Sequence, residues 1–152
     1  PGAFDEKLRA EPLYEERFVI ACAAGHRFAQ RNRITMRDLD GETYLQRINC
    51  EFRDVLREAC ETAGANIERA FRSEREDWIQ TMVAAVMGVC FLPEFSATQP
   101  GIVTRPVMEP EVRRTVSLVT VAGRRWSPAQ AAFVQAALRH RWPEARPAAS
   151  PP

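Results

Sequence analysis

Residues 73–97 have the sequence SEREDWIQTMVAAVMGVCFLPEFSA, in which the pattern of a helix is followed directly by that of a short buried strand. Ser73 and Glu76 have the spacing of a capping box, which predicts a helix start. Apolar residues then recur at helical spacing until Gly88, which predicts the helix end. The apolar run VCFL predicts a strand that Pro93 terminates. This order is typical of a ligand-binding α/β domain. The apolar helical positions are Trp78, Ile79, Met82, Val83 and Val86.

The rest of the chain also alternates between strand and helix patterns, and it contains no internal repeat. Short apolar runs predict strands at residues 18–23, 43–45, 67–72, 102–106 and 115–121. The first and last of these, FVIACA and TVSLVTV, have no partner nearby in sequence. We therefore expect them to pair with each other as adjacent strands of a hinge.

Two further helices and one short helical turn are predicted between these strands. Thr35 and Asp38 can cap the short turn. The clearest amphipathic helix follows Asn49, a plausible N-cap, and stops at Gly64. The last helix has Ser127 as its cap and proline at its first position. The amphipathic helix has its apolar residues at Phe52, Val55, Leu56, Ala59, Cys60 and Ala63.

Four segments together resemble the effector-binding domain of LysR-type transcriptional regulators. Three of them are EPLYEERFVIACAAGHRFA at residues 11–29, RDLDGETYL at 37–45 and CETAG at 60–64. The fourth is the helix-to-strand segment, because the second subdomain of this family carries a helix, "VAAG-G", a hydrophobic triplet and "LP" in that order. The chain differs at Val86, where the family usually has glycine. We expect a valine there to favour helix packing and to alter the local helix geometry.

The resemblance implies a periplasmic-binding-protein-like α/β fold, with two subdomains joined by crossover strands. It assigns residues 1–22 and 118–142 to part of the first subdomain with the crossover strands, and residues 23–117 to a complete second subdomain. The family's N-terminal helix-turn-helix domain is absent from this chain, so we expect a truncated or processed product. The first subdomain would then expose surface that favours self-association. Residues 143–152 are rich in Pro and Ala, which predicts a disordered tail.

Composition and charge exclude several classes of protein. The chain has 152 residues, 45% of them hydrophobic and 27% charged, which predicts a soluble globular protein. It has no apolar run near the roughly 20 residues that span a bilayer and no signal segment, so we expect a cytoplasmic protein without a membrane partner. The net charge of +1 argues against direct DNA binding. The resemblance implies contact with DNA only through the helix-turn-helix domain, in a homodimer or homotetramer.

No catalytic, metal or cofactor site is predicted from the sequence. His26 and His140 lie in separate segments, and no nucleophile motif, phosphate loop or carboxylate pair has a recognisable spacing. The four cysteines have no metal-ligand spacing. We therefore predict a domain that is not an enzyme. A solute-binding or enzyme domain of similar α/β plan stays the alternative from another class.

The candidate binding segment is QRINC, residues 46–50, between a predicted strand end and a predicted helix start. Strand carboxyl ends face the ligand crevice of open α/β sheets, and a helix N-terminus attracts anions. The resemblance implies that this loop faces the cleft between the subdomains and binds a small effector, for which a carboxylate is the favoured chemistry. Two simpler interpretations stay open: Asn49 only caps the helix, and Arg47 is solvated. The candidate effector contacts are Gln46, Arg47, Asn49, Cys50 and Arg53.

Cys50 and Cys60 resemble the cysteine pair of the peroxide-sensing members of the family, although Cys50 is displaced by one residue relative to the shared Arg-Asp. A cysteine beside a helix N-terminus can have a lowered pKa and be reactive. On one continuous helix, however, ten residues span about 15 Å, beyond the roughly 7 Å between Cα atoms that a disulfide allows. A thiol-based peroxide sensor is therefore the alternative function and would require local unfolding. Cys22 and Cys90 are interpreted as core residues, and Cys60 more simply as a packed residue than as a redox partner.

Overall fold

The computed structural model describes residues 7–143, so almost all of the predicted disordered tail lies outside the described residues. The described chain divides into two compact units. Unit 1 contains residues 7–16 and 114–143, and unit 2 contains residues 17–113. The boundaries predicted from the resemblance lie a few residues later along the chain. The assignment of these units to the two subdomains stays a prediction.

The elements alternate between strands and helices, as the sequence predicts. The strands are β1 (Leu8–Ala23), β2 (Ile34–Thr35), β3 (Thr43–Arg47), β4 (Glu68–Ser73), β5 (Cys90–Pro93), β6 (Ile102–Met108) and β7 (Arg113–Val121). The helices are α1 (Arg53–Ala63), α2 (Glu76–Ala84) and α3 (Pro128–Arg139), with short 3-10 helices at Arg27–Gln30, Met36–Leu39 and Glu94–Ser96. Within the described residues, no helix has the length and apolar character required to cross a bilayer.

In unit 2, the second half of β1 is a central strand. It pairs antiparallel with β5 on one side and with β6 on the other, and β2 extends the sheet beyond β6 in parallel. A strand with neighbours on both sides and helices on both faces is buried throughout, which explains the continuous apolar run FVIACA. The parallel pair β3 and β4 lies next to β5, through a bridge between Tyr44 and Val89.

The prediction that FVIACA pairs with TVSLVTV is wrong, because TVSLVTV in β7 pairs with the part of β1 that precedes FVIACA. Both sides of FVIACA are occupied by β5 and β6, so β7 pairs with the preceding half of β1. The amide of Phe18 donates to the carbonyl of Val112 at 2.8 Å, and the amide of Ala122 donates to that of Lys7 at 2.8 Å. The reason is that β1 extends well beyond its apolar run, through a polar half that the pattern did not mark as strand.

The sheet of unit 2 separates two apolar clusters. Alternate residues of β1 point to opposite faces, so α1 covers one face and α2 covers the other. The cluster on the α1 face, called core A, includes Phe18, Ile20, Cys22, Tyr44, Leu56, Cys60 and Phe91. The cluster on the α2 face, called core B, consists of Val19, Ala21, Leu45, Ile79, Val83, Cys90 and Leu92. The predicted core positions of Cys22, Cys60 and Cys90 are confirmed.

Helix α1 begins later than the sequence predicts. Its N-cap position is Phe52, and the chain before it forms turns in which the amide of Arg53 donates to the carbonyl of Cys50 at 3.3 Å. The prediction of Asn49 as N-cap is therefore wrong. The predicted end is confirmed, because Gly64 has the left-handed φ of 68° that lets a chain leave a helix. Val55 was expected on the apolar face, but it is exposed.

Helix α2 also begins after the predicted cap. Ser73 is the last residue of β4, and its hydroxyl accepts a hydrogen bond from the amide of Arg75 at 2.9 Å instead of capping the helix from the N-cap position. Ile79 and Val83 are buried as predicted, whereas Trp78 is exposed.

Val86 lies outside helix α2 in a conformation that L-residues rarely adopt. Its φ is 63° and its side chain is 67% exposed, so the expected helix packing of this valine is wrong. The left-handed conformation costs an L-residue with a Cβ about 1–2 kcal/mol. Glycine, the usual residue of the family at this position, would avoid that cost.

Unit 1 consists of the first half of β1, β7 and α3. The predicted cap of α3 is confirmed, because the Ser127 hydroxyl accepts a hydrogen bond from the Gln130 amide and the Gln130 side chain accepts one from the Ser127 amide. An open apolar groove of about 480 Å³ lies between β7 and α3, with Trp126 and Phe133 among its exposed residues. The expected self-association through exposed surface of this unit stays a prediction.

Candidate functional site

The carboxyl ends of several strands of unit 2 meet at one edge of its sheet. β3 and β4 are parallel, with Arg47 opposite Ser73 at their ends. β5 ends at Pro93, which pairs with Phe18 of the antiparallel β1, so Arg17 also lies at this edge. The edge where parallel strands end is the usual ligand-binding edge of an open α/β sheet.

The five predicted effector contacts lie in different environments. Gln46 and Arg47 belong to β3 and not to a loop, so they point to opposite faces of the sheet. Gln46 is buried, and Asn49 is exposed in the turn after β3. Cys50 packs against core A, and Arg53 is a half-exposed residue at the start of α1. The structure thus does not gather these five side chains around one point.

Arg47 is the more buried of the two charged groups among these candidates. Its side chain is only 12% exposed, so the interpretation of Arg47 as a solvated side chain is wrong. Its Nη2 lies 2.5 Å from Oε2 of Glu76, the first residue of α2. Its Nη1 is buried and has no hydrogen-bond partner among the described residues. A charged N–H group in this position can donate to an oxyanion.

A buried glutamine connects this ion pair to the segment after β5. The side-chain nitrogen of Gln80 donates to the carbonyl of Ser96 at 2.8 Å and lies 3.3 Å from Oε1 of Glu76. Its side-chain oxygen accepts hydrogen bonds from the amides of Thr98 and Gln99, each at 3.1 Å. The side-chain amide of Gln80 therefore uses both of its N–H donors and both acceptor positions of its oxygen.

A second buried ion pair at the same edge was not predicted from the sequence. Arg17 donates from Nε and Nη2 to the two carboxylate oxygens of Glu94 at 2.9 and 3.0 Å. The side chains are 6% and 13% exposed, and Nη1 of Arg17 is buried without a partner among the described residues. The sequence signal for this ion pair was the charged pair Glu16-Arg17 directly before FVIACA. Because β1 continues through these two residues, both are buried.

Burial disfavours the thiolate form of the cysteines. Burial is the main cause that raises the pKa of Cys50, against smaller opposing effects of a backbone hydrogen bond from Phe52 and of nearby Arg47. Burial also raises the pKa of Cys60, the pKa of Cys90, and the pKa of Cys22 to about 11. The predicted lowering of the Cys50 pKa is therefore wrong, because Cys50 precedes the helix start and packs against core A. All four cysteines are free thiols.

The two histidines are not assembled into a site with other chemical groups. His26 caps the 3-10 helix at Arg27–Gln30, because its Nδ1 accepts a hydrogen bond from the Phe28 amide at 3.2 Å, while its Nε2 lies 3.2 Å from Glu42. His140 contacts the ring of Trp142. Within residues 7–143, no group of three or more His, Cys, Asp or Glu side chains could hold a metal ion.

Comparisons with known proteins agree on one family. The model of the LysR substrate binding domain matches residues 2–142. The chain is 33% identical over 132 residues to the DNA-binding transcriptional dual regulator OxyR of Escherichia coli K12, covering 83% of this chain and 42% of that protein. The chain thus spans less than half the length of this relative.

Two solved structures share the fold at low sequence identity. One is the regulatory domain of CcmR from Synechocystis PCC6803 in complex with 2-PG, with a TM-score of 0.72 and 15% identity over 90% of this chain and 69% of that one. The other is the effector binding domain of QuiR in complex with shikimate, with a TM-score of 0.68 and 20% identity over 90% of this chain and 68% of that one. The mixed α/β sheet of this chain therefore has the periplasmic-binding-protein-like fold of such domains. The chain belongs to the LysR family of transcriptional regulators, as an effector-binding domain of that family.

Proposed function

We propose that this domain senses a small anionic effector at the carboxyl edge of the sheet of unit 2, with Arg47 as the principal anchor. The single observation that carries the proposal is the buried, unpartnered Nη1 of an otherwise well-held guanidinium. The domain binds its effector without catalysis. In the complete regulator, which we propose to be a cytoplasmic homodimer or homotetramer, binding is transmitted to a DNA-binding domain.

The arrangement around Arg47 favours a carboxylate. Charge-assisted hydrogen bonds contribute about 1.5–3 kcal/mol each, and Glu76 already holds the guanidinium in place, so little side-chain freedom is lost on binding. Gln46, Asn49, Cys50 and Arg53 remain candidate contacts with less support, since Gln46 faces away from Arg47 and Cys50 packs against core A.

Binding can regulate only through a difference in affinity between two conformations. An effector that binds one conformation of the domain more tightly than another shifts the population toward the tighter-binding conformation. The size of the shift is set by the difference between the two binding free energies. Two structural neighbours of this fold are described as complexes with small molecules, shikimate and 2-PG. This supports effector binding for the present domain.

Replacing Arg47 by alanine should weaken binding of a small carboxylate by about tenfold or more, because one charge-assisted hydrogen bond is worth at least the 1.4 kcal/mol of a tenfold change. The probe is sodium valerate, titrated into the isotope-labelled chain and followed by NMR. The amides of residues 46–50 and Glu76 should shift in the unmodified chain.

The matched control is Arg57→Ala, which removes the same charge from the exposed face of α1. It should bind valerate like the unmodified chain. Equal affinity of the Arg47→Ala and Arg57→Ala chains would refute Arg47 as the anchor, while circular dichroism establishes that both chains are folded. Asn49→Ala, tested beside them, measures the contribution of the turn.

A thiol-based peroxide sensor is the second candidate function, favoured by the similarity to OxyR and by the shared contact of Cys50 and Cys60 with core A. Since burial raises the pKa of both thiols, their thiolate fractions at pH 7 are lower than for free cysteine. Stoichiometric peroxide should therefore leave both thiols reduced for minutes at pH 7. Below the raised pKa values, the reaction rate should rise about tenfold per pH unit, because the thiolate is the nucleophile.

Thiol mapping by mass spectrometry measures this outcome. Cys22 serves as the internal control, because its pKa is raised to about 11 by burial. A fast, quantitative Cys50 to Cys60 disulfide at pH 7 would contradict the prediction and would establish the sensor function instead.

A further inference from the structure

We propose that Arg17 is a second anion-binding residue at the same edge as Arg47, and that the preferred effector of this domain therefore carries two acidic groups. This inference rests on the proposed function, because it takes Arg47 as the first anchor. It adds a residue that the sequence did not indicate and narrows the class of ligand to small diacids.

The two arginines point to the same face of the sheet. Val19 of β1 and Leu45 of β3 both belong to core B, on the face that α2 covers. Side chains alternate along a strand, so Arg17 and Arg47, each two residues from these positions, lie on that face as well. Both are at the carboxyl edge, beyond the last core residues.

Their separation suits one small ligand. β1 and β3 lie on either side of β5, and strands in a sheet are about 4.8 Å apart, so the two backbones are about 10 Å apart. Arginine side chains are long enough for their guanidinium groups to approach a molecule held between them at the carboxyl end of β5. We therefore expect a diacid with a short carbon chain to bridge the two groups.

Arg17 has the environment expected of a binding group. Its side chain is more than nine-tenths buried, and Glu94 occupies Nε and Nη2 while leaving Nη1 without a partner among the described residues. Leaving a charged buried donor unpaired is unfavourable, and a hydrogen bond to a ligand oxygen would remove that penalty. The bidentate pair with Glu94 orients the free nitrogen in advance.

A third buried arginine does not share this arrangement. Nε of Arg105 is also without a partner among the described residues, but its Nη1 donates to the carbonyl of Thr104 and its Nη2 to that of Ala29. Arg105 is paired with Ile20 of core A, so it lies on the opposite face from Arg17 and Arg47. Its guanidinium therefore ties β6 to the 3-10 helix at Arg27–Gln30.

The test compares diacids with monoacids of equal length on the 152-residue chain. Glutarate is paired with valerate and adipate with hexanoate, and affinities are measured by NMR titration. The better diacid should bind at least tenfold more tightly than its monoacid, as expected for one more charge-assisted hydrogen bond. The double variant Arg17→Met, Glu94→Gln should lose this preference and keep monoacid affinity within about twofold.

The double variant avoids an unpaired buried carboxylate, which would destabilise the fold. Glu94→Gln alone is the matched control, because it makes the same change at Glu94 and keeps Arg17. It should retain the preference for diacids, because the glutamine side-chain oxygen still accepts a hydrogen bond from Arg17.

Equal binding of diacids and monoacids by the unmodified chain, or a preserved diacid preference in the folded double variant, would overturn the role of Arg17. Either result would leave the proposed function intact if Arg47→Ala still weakens valerate binding. If Arg47→Ala has no effect on valerate, the proposed function fails by itself and the diacid inference fails with it.

Discussion

Replacing Gly88 by alanine should lower the free energy of unfolding by about 3 kcal/mol, through overpacking together with an unfavourable φ. A Cβ on Gly88 would lie 2.5 Å from the carbonyl oxygen of Thr43, a backbone atom that cannot move independently. That oxygen already accepts a hydrogen bond from the amide of Val89 at 2.9 Å, which joins β3 to the chain entering β5. The φ of Gly88 is 156°, which side-chain-bearing residues rarely adopt. Thermal unfolding should occur about 10 °C lower, for a domain of this size.

Gly64→Ala is the matched control for this substitution. Gly64 also has a positive φ, of 68°, but a Cβ there would meet no heavy atom within 4 Å. Gly64→Ala should therefore lower the free energy of unfolding only by the cost of the unfavourable backbone conformation, about 1–2 kcal/mol. Urea unfolding of the two variants measures both values. If Gly88→Ala is no less stable than Gly64→Ala, the close contact between β3 and the start of β5 does not explain why glycine is needed at position 88.

Replacing Gln80 by leucine should lower the free energy of unfolding by about 2–3 kcal/mol. Leucine has a similar size but cannot bond the carbonyl of Ser96 or the amides of Thr98 and Gln99. An unsatisfied buried polar group costs about 1–3 kcal/mol, and the exposed positions of Thr98 and Gln99 let water replace part of the loss. Amide hydrogen exchange at Thr98 and Gln99 should accelerate more than tenfold, because their native acceptor is removed.

Gln99→Leu serves as the control, since Gln99 is exposed and the same chemical change there should alter stability by less than about 0.5 kcal/mol. Urea unfolding combined with hydrogen exchange separates global from local effects. Unchanged exchange at Thr98 and Gln99 in Gln80→Leu would contradict the role of Gln80 in holding this segment.

Both substitutions affect the structure behind the proposed effector site. Gly88 sets the contact between β3, which carries Arg47, and β5. Gln80 lies beside Glu76, which holds Arg47, and binds the segment that follows Glu94. Neither residue touches an effector in the proposal. Loss of valerate binding by either variant in its folded state would therefore report on the positioning of the two arginines.

Local patterns were sufficient to predict the order of the elements in this chain. The spacing of Ile79 and Val83, the glycine after α1 and the capping sequence before α3 all act over a few residues, so they could be interpreted from the sequence alone. Helix α2 ends at Ala84, before the end predicted at Gly88. The continuous apolar run FVIACA predicted a buried strand for the same reason. Together with the family resemblance, these signals indicated the α/β fold and the LysR family correctly.

Tertiary structure alone determined the edges of the elements and the environment of the charged groups. Asn49 and Ser73 are good capping residues, yet Ser73 is paired in β4 and Asn49 lies in the turn after β3, so both helices start further along the chain. Arg17 is buried because β1 continues on both sides of it and because Glu94, in the 3-10 helix directly after β5, is brought next to it from a distant part of the sequence. Burial, not proximity to a helix end, governs the pKa of Cys50. Each of these outcomes depends on residues brought together by the sheet, which short-range sequence patterns do not encode.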